Sequence, residues 1–579
     1  MVTPRATVRL QFHKDFTLDA AAAVVPYLAS LGLSHVYASP IFAAVPGSMH
    51  GYDVTDPNRI NPELGGPEAL ARLSRTLREN GMGLILDIVP NHMAASAANA
   101  WWWDVLKHGA ESRYADFFDI DWQDPDPALR GKVLLPALGD SLEACLARGE
   151  LTRDADGSTL TYFEQRFPID DRNASRGVSL PDLLSKQHYV LAHWREAPWR
   201  INWRRFFDIN QLVALRMDRD EVFDAYHALI LELVRDGAAD GARVDHVDGL
   251  ADPASYLHRL RAALDGAASG RQAPYLVVEK ILDHDEPLNP DWPIAGTTGY
   301  DFMDQVGAIL HDPTGAAPLT ALWEKASGDP TPFDDLAGSA RREILDRLFP
   351  KQRERLAALL RAEGADALTQ VDDPGLERAL TALLVALRRY RLYGDAGGFS
   401  AADLAVLHAA QQAAKESGKP ADRAAIDAVC DALKTPAARR ARSRFQQLSA
   451  TLTAKAVEDT AFYRYSRLLS RNEVGSNPGR LAIPVEAFHA AACRRQIDFP
   501  HAMLATATHD HKRGEDSRMR LAVLSALPGA WSDFVTRRCA RHESPEASFQ
   551  AMIYQSLVGA WPLDLQPNDA PGVAALAAK

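Results

Sequence analysis

Apolar runs of strand length alternate with amphipathic helical stretches through the first hundred residues. That alternation restricts the chain to an α/β fold on a parallel sheet. Residues 7–12 read as a first strand, 18–31 as a helix that must accommodate Pro26, and 35–40 as a second strand. Residues 67–80 read as a second helix and 84–89 as a third strand. The second helix shows its period clearly: Leu70, Leu73 and Leu77 share a face, Pro67 opens it and Gly81 lies just past its end. Repeated βα units predict a (β/α)8 barrel of the TIM type, in which active sites sit at the carboxyl ends of the strands.

Polar residues of catalytic type gather where such strands end. Four segments carry them: Asp87-Ile-Val-Pro-Asn91-His92, Gly241-Ala-Arg243-Val-Asp245-His246, Val277-Val-Glu279-Lys280 and Thr508-His509-Asp510, each in or at the end of an apolar run. Side chains alternate faces along a strand, so Arg243 and Asp245 point the same way and Val244 the other. A guanidinium beside a carboxylate favours the charged form, and Asp245 is expected to stay ionised and nucleophilic. Glu279 closes the run Tyr-Leu-Val-Val-Glu, where an apolar mouth suits a protonated general acid. Cleaving a glycosidic bond with retention needs such a pair about 5 Å apart, one attacking the anomeric carbon and one protonating the leaving oxygen. Asp510, beside His509, is placed to bind sugar hydroxyls whose hydrogen bonds strengthen in an oxocarbenium-like transition state.

The four segments, in this order, resemble the sequence regions of the α-amylase family of glycoside hydrolases. Longer blocks make the chain most similar to the trehalose-forming members of that family. These are Arg9-Leu-Gln-Phe-His-Lys-Asp-Phe16, Ser48-Met-His-Gly-Tyr-Asp-Val54, Asn202-Trp-Arg-Arg-Phe-Phe-Asp-Ile-Asn210, Asp245-His-Val-Asp-Gly-Leu250, Gly296-Thr-Thr-Gly-Tyr-Asp-Phe302, Val457-Glu-Asp-Thr-Ala-Phe-Tyr-Arg-Tyr465 and Asn472-Glu-Val-Gly475. The resemblance implies an isomerase that moves the reducing-end glucose of a maltooligosaccharide from an α-1,4 to an α,α-1,1 linkage. It assigns Asp245 as nucleophile, Glu279 as acid/base and Asp510 as transition-state stabiliser. It further implies that Tyr52 stacks on a sugar ring, that Asp87, His92, Arg243 and His509 line the same subsite, and that His50 and His246 belong to the substrate-binding set. A trehalose-releasing hydrolase is the implied pathway partner. A hydrolase or 4-α-glucanotransferase of the same family, or an inactive glucan-binding relative, would carry the same trio and differs in its products.

Composition is compatible with that reading. A chain of 579 residues exceeds one compact core, so more than one domain is expected. A formal net charge of −12 argues against nucleic acid or an anionic membrane as a main partner. Cys145, Cys430, Cys493 and Cys539 are scattered without a Cys-x-x-Cys, which makes a metal site or a disulfide framework unexpected; no cofactor is implied. Without an apolar signal core or a run of about 18 apolar residues, the expected location is the cytoplasm.

Residues 100–206 break the βα rhythm, where the resemblance places an inserted, cleft-forming domain. Seven of the eleven tryptophans lie between Trp101 and Trp203, available to stack on sugars or to fill a core. Order resumes with a helix over 220–235, its apolar face at Val222, Phe223, Tyr226, Ile230 and Leu233. Residues 317–484 are read as a helical insertion, rich in Ala, Leu and Arg. The catalytic barrel is assigned to 1–99, 207–316 and 485–579. Beyond Asp510 the chain reads as helices over 517–527, 528–541 and 544–560, and no β-rich run follows. The eighth strand and C-terminal β-domain of the resembled family are therefore expected to be missing.

Overall fold

The computed structural model describes residues 3–173, 178–541 and 547–578. A six-stranded sheet carries the site, in the order β1 (Thr7–Leu10), β2 (His35–Ala38), β3 (Gly83–Ile88), β4 (Gly241–Val244), β5 (Tyr275–Val278) and β6 (Gly296–Thr297). β1 to β5 pair in parallel, each with the next. Helices α1 (Leu18–Ser30), α2 (Gly66–Glu79), α3 (Asp220–Arg235) and α4 (Pro253–Ala267) fall between consecutive strands. Every residue of β2, β4 and β5 is buried, as expected of a parallel sheet covered on both faces. This is a parallel half-barrel sheet in an α/β fold.

The expected elements form close to their expected limits. α1 takes Pro26 into its interior, with Thr17 capping its first turn through Ala20 N–H at 3.3 Å. α2 buries Leu70, Leu73 and Leu77 as its periodicity requires. β1 stops before Phe12, whose N–H turns to Ser39 Oγ at 2.8 Å instead of the ladder. In α3 the buried stripe runs through Phe223, Tyr226, His227, Ile230 and Val234, and Leu233 is only half-buried. The 3.6-residue period carries the stripe to position 234 instead of 233.

The chain divides into two compact units: Met1–Glu279 with Pro290–Gly296 and Leu345–Thr451, and Lys280–Asn289 with Thr297–Ile344 and Leu452–Lys579. In the first unit, residues 100–206 hold short sheets that sequence periodicity did not reveal. Val133–Leu138 pairs in parallel with Tyr189–His193, and Leu151–Arg153, Thr159–Tyr162 and Gln165–Pro168 form an antiparallel sheet. Trp102 and Trp203 are fully buried there, ring centroids 5.5 Å apart, so they serve as core, whereas Trp194 and Trp199 are exposed.

Residues 317–484 are helical throughout much of their length. Pro350–Glu363, Asp373–Ala386, Ala401–Ser417 and Arg423–Lys434 belong to the first unit. Arg439–Thr453 runs on directly into a π-helix over Ala454–Ala461.

One expectation fails in the second unit. The run that leads to Thr508-His509-Asp510 is not a strand. Its backbone finds scattered partners instead of a ladder: Met503 N–H donates to Thr297 O at 3.2 Å, and the Arg518 guanidinium takes Thr506 O. Helices follow at Glu515–Ala522, Pro528–Cys539, Ala547–Ala560 and Ala570–Ala577. Ser544, the expected start of the third of these, lies outside the described residues. Among the described residues no helix is long and apolar enough to cross a membrane.

Candidate active site

Register brings the first cluster together. Arg243 and Asp87 are direct partners across β4 and β3, and Arg9 and Tyr37 across β1 and β2. Arg243, 1% exposed, donates from Nη1 to Asp87 Oδ1 at 2.7 Å and to Asp245 Oδ1 at 2.6 Å, and its Nη2 lies 3.3 Å from Glu279 Oε2. On its other oxygen Asp87 accepts the hydroxyls of Tyr52 at 2.6 Å and Tyr37 at 3.1 Å, and Arg9 donates to the Tyr52 hydroxyl at 3.1 Å. Two arginines and two phenols thus order three carboxylates at the ends of adjacent strands, Asp87 and Asp245 buried and Glu279 half-buried.

The sharing of one guanidinium bears on the expectation for Asp245. Burial pushes its carboxyl well above the usual carboxylate range, Arg243 opposes this, and the neighbouring Glu279 and Asp87 add to the rise. One arginine is shared by three carboxylates, so the neighbours of Asp245 disfavour its charged form as well as favour it. For the same reason of burial the Tyr37 and Tyr52 hydroxyls stay protonated and act as donors.

His246 follows the nucleophile segment in the left-handed region, φ 45° and ψ 51°. Its backbone N–H donates to Glu279 Oε2 at 2.7 Å. Its ring packs edge-on against Phe206 and Phe207, and burial pushes its pKa down to about 4. His92 stacks on Phe206 at 4.3 Å and is pushed down to about 3, chiefly by burial, so both imidazoles are neutral at ordinary pH. Gly249 closes the turn: a Cβ there would meet His246 Cδ2 at 2.4 Å and Asn91 Oδ1 at 2.5 Å. Asn91 Oδ1 accepts from Arg204 Nη1 at 3.1 Å, and Arg204 also reaches Asp119 Oδ2 at 2.8 Å and Gly249 O at 3.2 Å.

The Ser48–Val54 block is a tight turn that delivers Tyr52. Ser48 Oγ donates to Asp53 Oδ1 at 2.6 Å and accepts from Gly51 N–H at 3.1 Å, and His50 Nδ1 accepts from Tyr52 N–H at 3.0 Å. Gly51 has φ 79°, and a Cβ there would sit 2.6 Å from Pro40 O. His50 is therefore a turn-forming residue whose exposed ring stacks beside Tyr52, centroids 6.1 Å apart.

Asp510 and His509 belong to the second unit. His509 Nε2 lies 3.6 Å from Asp510 Oδ1, and the Tyr300 hydroxyl donates a short hydrogen bond to Asp510 Oδ2. Thr508 Oγ1 lies 3.2 Å from that hydroxyl and accepts Asp510 N–H at 3.3 Å. Two residues on, Lys512 N–H donates to Glu473 Oε2 at 2.6 Å, and burial raises the pKa of Glu473.

Sequence reasoning gave no role to Arg9, Tyr37, Tyr300 or Glu473. Arg9 and Tyr37 left a signal, a polar residue at the alternate position of an apolar strand. Tyr300 and Glu473 stood inside blocks already singled out.

A parallel sheet with two arginines, three carboxylates and two phenols converging at its strand ends fits a catalytic domain of the α-amylase type. The sequence profile described as "Alpha amylase, catalytic domain" matches residues 17–263. The chain is 41% identical over 560 residues to the putative maltooligosyl trehalose synthase of Mycobacterium tuberculosis (strain ATCC 25618 / H37Rv), covering 95% of this chain and 68% of that protein. Its fold matches the maltooligosyltrehalose synthase from Arthrobacter ramosus with a TM-score of 0.88 at 40% identity, covering 99% of this chain and 71% of that one. It matches the hypothetical maltooligosyl trehalose synthase of Sulfolobus tokodaii with a TM-score of 0.82 at 31% identity, covering 100% of this chain and 72% of that one. The chain belongs to the maltooligosyl trehalose synthase family.

Proposed function

We propose that the chain isomerises maltooligosaccharides, converting the reducing-end α-1,4 bond to an α,α-1,1 bond through a covalent glycosyl-enzyme. The observation that carries this reading is Arg243 holding Asp245 and Glu279 on one guanidinium, within a chain related over nearly its whole length to maltooligosyl trehalose synthases. Asp245 attacks the anomeric carbon next to the terminal glucose while Glu279 gives its proton to the leaving oxygen. Glu279 carries the proton at this step and Asp245 is the ionised partner. The released glucose stays bound and turns, Glu279 removes the proton of its anomeric hydroxyl, and that oxygen displaces Asp245 with net retention. Asp510 stabilises the oxocarbenium-like transition state, and Tyr52, Asp87, His92, Arg243, His246, His509 and His50 bind the sugar and order the site around it.

Holding the acceptor gives it an effective concentration far above that of bulk competitors, and escape of glucose yields hydrolysis instead. The reading assigns residues 1–99, 207–316 and 485–579 to a (β/α)8-type catalytic domain, 100–206 to a cleft-forming insertion and 317–484 to a helical wall that retains the glucose. A hydrolase that releases trehalose acts on the product. The test is incubation with maltopentaose, following reducing ends beside the anomeric proton spectrum. Loss of reducing ends with a new α,α-1,1 signal, abolished by Asp245→Asn, is expected. A rise in reducing ends, or chain-length redistribution without the new signal, would overturn the reading in favour of a hydrolase or a 4-α-glucanotransferase.

A further inference from the structure

The turn after Asp245 is held by side chains from a distant part of the first unit. His246 is one of three described non-glycine residues with positive φ. Its backbone N–H, on the peptide that joins Asp245 to this turn, donates to Glu279 Oε2 at 2.7 Å. A left-handed residue other than glycine costs about 1–2 kcal/mol and persists where its surroundings over-determine it.

Those surroundings are specific. Arg391, 1% exposed, donates from Nη1 to both Asp248 O and Leu250 O at 2.7 Å. The Tyr393 hydroxyl donates to Asp248 Oδ1 at 2.5 Å, with its ring packed edge-on against Trp292 at 5.2 Å. Gln447 Nε2 donates to Gly249 O at 2.9 Å and Ser443 Oγ to Ala251 O at 3.1 Å. Carbonyls 248 to 251 are thereby each bound by a side chain that lies more than a hundred residues away in sequence.

We infer that Arg391 and Tyr393 are positioning residues for the acid/base: by clamping the Val247–Gly249 turn they fix the adjoining Asp245–His246 peptide, whose N–H donates to Glu279. The inference rests on the reading of Glu279 as general acid given above. Without the clamp the turn shifts and carries the Asp245–His246 peptide with it, its N–H leaves Glu279, and the carboxyl loses its alignment with the leaving oxygen. A leaving group that needs a proton then departs slowly. Fluoride, which departs as the anion without one, is indifferent to that alignment.

The experiment compares maltopentaose with α-maltosyl fluoride on the full chain carrying Tyr393→Phe, Arg391→Met or Arg391→Lys. General acid catalysis is worth about 10²–10⁴ in rate. Of this, Tyr393→Phe is expected to lose roughly tenfold and Arg391→Met roughly a hundredfold in kcat on maltopentaose, with KM within about twofold. Turnover of the fluoride should fall less than about threefold, and Arg391→Lys should restore part of the loss. Equal losses on both substrates would mean a merely structural role and overturn the inference, as would full maltopentaose activity in Arg391→Met. Should Arg391→Met fail to fold, Tyr393→Phe, which keeps its ring against Trp292, decides the matter. If the unsubstituted chain releases no fluoride, the glycosyl-enzyme reading itself fails and takes this inference with it.

Discussion

Replacing Arg243 with methionine removes the single cation shared by Asp87, Asp245 and Glu279 while keeping most of the buried volume. Asp87 retains the Tyr37 and Tyr52 hydroxyls, so the loss falls mainly on Asp245, whose 2.6 Å bond goes. Breaking a buried pair and leaving its partner uncompensated costs about 3–5 kcal/mol. The cost depends on pH in a definite sense. Asp245 has a folded pKa already raised above its unfolded value near 3.9. Its contribution is therefore fully present below that value and is lost as pH rises through the folded pKa. Arg243 is what opposes the rise, so its removal lifts the folded pKa further, each added unit being worth about 1.4 kcal/mol where the group is ionised. The variant should thus be less stable than the parent, with the larger deficit, up to about 3–5 kcal/mol, at pH 8 and the smaller at pH 5. Urea denaturation of both proteins at the two pH values measures this. An equal deficit at both, or a larger one at pH 5, would refute the account of three carboxylates competing for one guanidinium.

Further expectations concern single contacts. Tyr300→Phe deprives Asp510 of its phenol donor, a hydrogen bond to a charged group worth about 1.5–3 kcal/mol, so kcat/KM on maltopentaose should drop about 10- to 100-fold with an unchanged circular dichroism spectrum. Gly249→Ala drives a methyl into the His246 ring and Asn91 and should cost about 1–3 kcal/mol in a urea titration. His227, buried beside Tyr256, is pushed down to about 4, so its stabilisation is present above pH 6.5 and is lost as pH falls toward 4. His227→Gln should flatten the stability–pH curve in that window, and an unaltered slope would contradict the assignment.

Local pattern carried a good part of this molecule. Apolar runs and an i, i+3, i+4 stripe located β1 to β3 and α1 to α3, because burial of one face or of a whole strand writes itself into sequence. Strand alternation correctly put Arg243 beside Asp245, a contact between neighbours two residues apart. What depends on distant partners stayed hidden. An apolar run before Asp510 looked like a strand, but a strand needs a ladder, and this one has a lone bond to Thr297 and an arginine on Thr506. What opposes the ionisation of Asp245 stayed hidden likewise: sequence showed one neighbour, and register supplied two more carboxylates. Arg391 and Tyr393 lie in a segment between helices, with nothing local to mark them.

The claim that matters most is that Asp245 is the nucleophile of a double displacement. Incubating the Glu279→Gln chain with α-maltosyl fluoride needs no acid to form the glycosyl-enzyme and leaves no base to resolve it. Peptide mass mapping should then find a maltosyl group esterified to the peptide bearing Asp245. An adduct on another carboxylate, or fluoride release with none, would contradict the account.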